Sequence, residues 1–336
     1  MPDSGAENLW DDPTVDQQLK YFTYYPKRGY PEASLSVFAI VGTVLVVLGV
    51  RTRAQRWVHI LSGTAYAEML GYIFRSVCVS DTTFGMYVVM TLFLLLPPNA
   101  LALFNYKTVG EIIRQNNISS ERVRSRSKSC WRFWLRPRFV SWFYFSSDLF
   151  SIAMQGAGGG MLTSWDTRDA GNSIVLVGLS VQLFFFACFT VTAIYVWRSP
   201  DYVVHQGPRD RSPATAKRKV MVCILVTTVL LYLRSIYRIA EFADGYGGKI
   251  YSSEWAFYVF DTIIVFLAFL VYIFMYVGPN FPQNRERERQ LELERATESK
   301  PEDKADSSAQ LVSGRHPHPA AGAGAEDEAG RGGYHY

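Results

Sequence analysis

Long apolar runs alternate with short charged stretches along this chain until about Gly278, where a polar tail begins. Seven runs predict membrane-spanning helices, at residues 34–50, 57–79, 83–104, 139–162, 173–196, 220–242 and 255–277. Each is near the ~20 residues a helix needs to cross a hydrocarbon core about 30 Å thick. A soluble core does not need apolar runs of that length. In lipid every backbone N–H and C=O must find its partner within the segment, which leaves helix as the sensible conformation. The expected fold is therefore an all-α integral membrane protein, a bundle of seven transmembrane helices. Pro97 and Pro98 fall inside the third run and should kink it.

The connections fix an orientation. After runs one, three and five they hold eighteen Lys and Arg; after runs two, four and six they hold two. The positive-inside rule places the odd connections and the C-terminus in the cytosol, and the N-terminus outside. The third connection is the most basic, from Lys107 to Arg138. It reads as a patch for anionic lipid. The sequon Asn117-Ile118-Ser119 falls on the same cytosolic side and should stay unmodified. Residues 1–32 are expected to form an extracellular tail, 33–279 the membrane domain, and 280–336 a cytosolic, largely disordered tail. The aromatics of the first tail (Tyr21, Phe22, Tyr24, Tyr25 and Tyr30) suit an interfacial belt.

Composition changes little in this picture. Of 336 residues, 49% are hydrophobic, and the net charge of +4 gives no field that would favour nucleic acid. The N-terminus is acidic and lacks the basic-then-apolar pattern of a signal peptide. Four cysteines form no CxxC pair or disulfide framework. Few histidines, and only His59 within a run, argue against a metal site. No GxxxxGK[ST] loop is present, so the chain is not expected to hydrolyse nucleotide itself. No nucleophile–base set points to an enzyme, and no cofactor is implied. The seventh run has no lysine for a retinal Schiff base, and the rhodopsin-like receptor signatures are missing.

Ionisable residues inside the runs carry the functional signal. A charge at a helix centre costs roughly 2.5–3.5 kcal/mol on insertion scales. Run two carries Glu68 and Arg75; run four carries Asp148 and Gln155. Run six carries Arg234, Arg238 and Glu241; run seven carries Glu254 and Asp261. Spacings of four and seven return to nearly one helix face, so each helix presents a polar stripe. Four stripes can meet in the bundle interior, mostly in its outer half. Taken singly, each residue reads equally well as an interhelical ion pair or hydrogen bond. Taken together, they favour a lined cavity. Gly156, Gly158, Gly159 and Gly160 follow in run four. Close helix packing, with Gly156 and Gly160 spaced as GxxxG, is the first reading of that stretch; a loosened hinge is the second.

Certain motifs also resemble a known family. They are Glu68-Met-Leu-Gly-Tyr-Ile-Phe-Arg75, Leu94-Leu-Leu-Pro-Pro98, Asp148 with Gln155-Gly-Ala-Gly-Gly-Gly160, Arg234-Ser-Ile-Tyr-Arg-Ile-Ala-Glu241 followed by Gly245, and Glu254 through Tyr258 to Asp261. Over about residues 33–279 the chain resembles the fungal RTA-like, lipid-translocating exporters. It departs from them at Glu111, where members often carry a basic residue, and at Tyr276-Val-Gly-Pro279, where they tend to have His-Pro-Gly. The resemblance implies export or flipping of sphingoid bases, or protection against sterol analogues; one branch handles porphyrin. The implied function is a transporter of amphipathic small molecules and membrane lipids, not driven by ATP, in the plasma membrane or else the vacuole or another endomembrane. Asp148, Asp261 or Glu68 would hold a cationic amine. The alternative is a seven-helix lipid sensor that signals through its basic loop. Nothing in the sequence addresses oligomeric state.

Overall fold

The computed structural model describes residues 22, 26–27, 29–80, 83–120, 137–161, 167–200, 202–204, 210, 212–245, 248–250 and 252–281. Most of the N-terminal tail, the middle of the basic connection and the C-terminal tail lie outside the described residues. Among those described there is no strand. The long helices are α1 (Tyr30–Arg51), α2 (Ile60–Ser80), α3 (Phe84–Ser120), α4 (Pro137–Met161), α5 (Arg168–Arg198), α6 (Pro213–Asp244) and α7 (Glu254–Phe274). A 3-10 turn, Arg56–His59, leads into α2.

Each apolar run falls on one of these helices, and most of the helices outrun it. Helix α3 continues to Ser120, well past the apolar stretch. Hydropathy marks the part of a helix that meets lipid, whereas the backbone ladder runs on until a breaker or a cap stops it. Helix α6 shows such a boundary. Ser212 accepts the Thr215 N–H at 3.2 Å, and Pro213 takes the first turn, where no N–H is needed.

Five helices are long and apolar enough to cross a membrane: α1, the Gly85–Arg114 part of α3, α5, α6 and α7. Helices α2 and α4 are less apolar because they carry Glu68 with Arg75, and Asp148 with Gln155. All seven nevertheless expose large apolar side chains, among them Ile40, Leu70, Leu92, Phe150, Phe184, Leu233 and Leu267. Charged groups are instead buried, the inverse of a water-soluble protein. This is an integral membrane protein.

Helices adjacent in sequence pack together, and α7 returns to both α6 and α1. Aromatic rings fill the centre: Phe38 stacks on Tyr72 and meets Phe269 edge-on. Helices α4 and α5 approach closely at Gly158. A methyl there would lie 2.6 Å from the Gly171 carbonyl oxygen and 2.7 Å from Val175 Cγ2. A methyl on Gly178 would lie 3.1 Å from Met154 Cβ. Gly159 and Gly160 face open space, and Gly156 makes only an ordinary contact with Leu92. The GxxxG spacing thus misses the residue at the contact, because the register of α5 is not visible in the sequence of α4.

Candidate functional site

Three polar stripes meet between α2, α6 and α7. Glu68 and Asp261 are fully buried, and Arg75, Arg234, Arg238 and Glu241 nearly so. Asp261 is the hub. Its Oδ1 lies 2.7 Å from Arg234 Nε and 3.2 Å from Arg238 Nε, and its Oδ2 lies 3.3 Å from Arg238. Arg238 also donates to Glu241 at 2.9 Å, one turn along α6. Glu68 forms no hydrogen bond, but the charges of Asp261, Arg234 and Arg238 all act on it. Arg234 and Arg238 meet the carboxylates directly, Arg75 lies at the aromatic end, and the three arginines formally balance Glu68, Glu241 and Asp261. That balance offsets the cost of holding six charges away from water.

Local sequence explains two features of this cluster. Pro98 has no N–H, so the carbonyl four residues earlier, that of Leu94, loses its helical partner. Arg234 reaches that carbonyl, donating to Leu94 O at 3.4 Å. The paired prolines therefore supply a backbone acceptor to the cluster, and α3 remains helical through both. Asp261 lies in a π-helical stretch, Tyr258–Ile263. Such stretches widen a helix by one residue per turn and recur at functional sites. The stretch aims both Tyr258 and Thr262 at α2: Tyr72 Oη lies 2.6 Å from Thr262 Oγ1, and Arg75 donates to Tyr258 Oη at 3.1 Å.

Aromatic rings cover the end of the cluster where α6 stops and α7 begins. The Arg75 guanidinium lies 4.3 Å from the Phe257 ring centre, 5.3 Å from that of Tyr258 and 5.5 Å from that of Phe22. Phe22 is buried and also meets Tyr87 edge-on. At Phe22 the structure corrects the expected interfacial belt: this ring sits on a guanidinium inside the protein, where a cation–π contact replaces lost hydration, whereas Tyr30 is half exposed. Tyr21, Tyr24 and Tyr25 lie outside the described residues. Glu254 does not join the cluster; it accepts from the Lys27 backbone N–H at 3.1 Å and ties down the N-terminal segment.

The stripe on α4 faces α3 and α5. Gln155 donates to Gln182 at 2.9 Å, Gln182 donates to Asn99, and Asn99 donates to the Leu95 carbonyl at 3.0 Å. Asp148 is buried against Tyr106, and neither its carboxylate nor the phenol meets hydrogen-bond geometry. A small cleft between the two polar regions is lined by Pro98, Ala102, Gln182, Phe186, Leu231, Arg234 and Ser235. Sequence reasoning missed Tyr72, Asn99, Tyr106, Gln182, Phe257 and Thr262. Two had a signal: Asn99, a polar residue just after a helix-weakening Pro-Pro pair, and Gln182, an amide near the middle of an apolar run.

The model of the RTA1 like protein family matches residues 61–284, a span that contains every residue of both polar regions. The chain belongs to this family. Protein RTM1 of Saccharomyces cerevisiae is 29% identical over 227 residues, 67% of this chain and 69% of that one. Protein RTA1 of the same species is 28% identical over 232 residues, 68% of each chain. The sphingoid long-chain base transporter RSB1, also from Saccharomyces cerevisiae, is more distant. It is 24% identical over 166 residues, 39% of this chain and 43% of that one. No solved structure matches. Against this background the departure at Glu111 has a plain local role: Glu111 forms an ion pair with Arg114 at 2.6 Å on α3.

Proposed function

We propose that this RTA1-like protein moves amphipathic lipids across the bilayer, without hydrolysing ATP. The reading takes seven crossings, with the N-terminus outside and the C-terminus in the cytosol. It places the protein in the plasma membrane, or else the vacuole or another endomembrane. Residues 1–32 and 280–336 flank the membrane domain, and the basic connection after α3 rests on anionic lipid. The observation that carries the reading is the buried cluster of three arginines and three carboxylates beside a cleft. Bundle stability does not require six charges in hydrocarbon, and apolar residues of similar volume would often serve as well. A polar path for a lipid headgroup does require them. A family relative named for sphingoid base transport supports the same class of cargo.

In this orientation the Arg75 end of the cluster faces the outer leaflet. A headgroup would exchange contacts with Glu68, Arg234 and Arg238 while its chains stay against the apolar helix faces. Glu68 is the natural point of exchange, since its oxygens give up no hydrogen bond on meeting a cargo. Purified protein in liposomes should accelerate transfer of labelled sphingoid bases between leaflets, and Glu68→Gln should slow it by about tenfold or more. Transfer no faster than in protein-free liposomes, for sphingoid bases and sterols alike, overturns translocation. Specific lipid binding without transfer would then favour the sensor.

A further inference from the structure

Asp148 stands apart from every other buried acid in this protein. Asp261 and Glu241 are held by arginines, and Glu68 sits in the field of two. Asp148 is buried at 3% exposure with no ion-pair partner; its one polar neighbour is the Tyr106 hydroxyl, and the two do not reach full hydrogen-bond geometry. The Tyr106 hydroxyl that faces it is also unsatisfied. Aromatic rings pack around Tyr106. Tyr106 lies 4.6 Å from Phe189 and 5.4 Å from Tyr144 between ring centres, and Phe186 lies 4.9 Å from Tyr232. The titratable groups around Asp148 and Tyr106 are Tyr144 from α4, Cys188 from α5 and Tyr232 from α6. Among the described residues no lysine, arginine or second carboxylate faces them.

One carboxylate and one phenol are too few ligands for a metal ion. A lone carboxylate lined with π faces suits an organic ammonium, whose charge meets the acid and whose C–H and N–H bonds meet the rings. With no cation present, a charged carboxylate this far from water is costly to hold. The cleft beside Arg234 already reaches Phe186, which contacts Tyr106.

We propose that Asp148 and Tyr106 form a proton–ammonium exchange site for amphipathic amines. The amine arrives as R–NH3+ and pairs with the carboxylate, and the carboxyl proton leaves to water. One positive charge enters and one departs, so the bundle carries no net charge through the step. Tyr106 donates its hydroxyl hydrogen to the carboxylate when the proton is gone. The inference rests on the lipid-translocation reading for the source of its ligand, but binding tests it without any transport.

The full chain in nanodiscs, in weak buffer with a pH indicator, is titrated with dodecylamine and, separately, with dodecanol. Empty nanodiscs serve as the blank. The amine should release about one proton per molecule bound, and the alcohol none. Asp148→Asn should abolish the release and weaken amine binding by about tenfold or more. Tyr106→Phe should weaken it several-fold. Infrared difference spectra of the wild type give a second reading that needs no variant: amine should remove a protonated-carboxyl band. An undiminished band, or Asp148→Asn binding and releasing as wild type does, overturns the exchange site. Proton release without lipid transfer in liposomes would count against translocation alone, and equal transfer of amine and alcohol without release would count against the exchange site alone.

Discussion

Asp261 holds two arginines, and its removal should show what a buried charge costs when its partner is lost. In Asp261→Asn the guanidinia of Arg234 and Arg238 stay buried with only Glu68 and Glu241 to balance them. Breaking a buried pair in this way costs about 3–5 kcal/mol. The thermal midpoint of the detergent-purified protein should fall sharply, and Arg234→Gln in the same chain should recover part of the loss. Glu68→Gln breaks no hydrogen bond and should lower the midpoint far less. Equal midpoints for Asp261→Asn and wild type would show that the cluster is not a coupled network. At this scale the sequence was informative wherever a residue was costly. Eight charges in apolar runs are conspicuous, and the structure gathers six of them between α2, α6 and α7 while Asp148 and Glu254 lie elsewhere. It says little about partners that cost nothing alone. Tyr106, Phe257 and Thr262 are ordinary residues for a membrane helix, and the Leu94 carbonyl acquires its role only through Pro98 four residues on.

Between elements, the close approach of α4 and α5 depends on Gly158, not on the glycines whose spacing draws the eye. Gly158→Leu must push α5 away from Gly171 and Val175 or distort α4, and overpacking of this kind costs typically about 1–3 kcal/mol. Gly160→Leu enters open space and should be neutral. Paired measurements of monodisperse yield and thermal midpoint separate the two, and a Gly158→Leu protein as stable as Gly160→Leu would remove Gly158 from the contact. The reason the sequence points elsewhere is physical. A small-residue motif marks a helix able to pack closely, while the contact point depends on the rotation of both helices, which side chains across the bundle decide. The same limit applies to the polar stripes. Periodicity places Asp148 and Gln155 on one face of α4, but only the packing turns that face toward α3 and α5. The π-helical stretch of α7 is also beyond periodicity, because it changes the period just where Asp261 lies.

For the whole molecule, the number of crossings turns on α2 and α4, the two helices whose polar residues lower their apolarity. The distribution of basic residues predicts that both cross. If they do, the basic connection after α3 is cytosolic and the connection after α4 is outside. If α2 and α4 lay within the bilayer without crossing, α3 would still cross from the cytosolic side, and both connections would lie outside. A seven-crossing protein of reversed orientation would put the first connection outside and the second inside. Ser127→Cys and Trp165→Cys, each in a Cys130→Ser background, distinguish all three arrangements in living cells with a membrane-impermeant maleimide. Cys78 and Cys223 are buried, which keeps their background low. The expected result is labelling of the Trp165→Cys protein in intact cells, and of the Ser127→Cys protein only after permeabilisation. Labelling of both in intact cells would reduce the crossings to five and leave the Glu68 and Asp148 stripes on helices that do not span. Labelling of Ser127→Cys alone would invert the bundle and turn the Arg75 end of the cluster toward the cytosol. The proposed lipid path would then open from the inner leaflet, so the labelling pattern fixes which leaflet loads the cargo as well as how many helices cross.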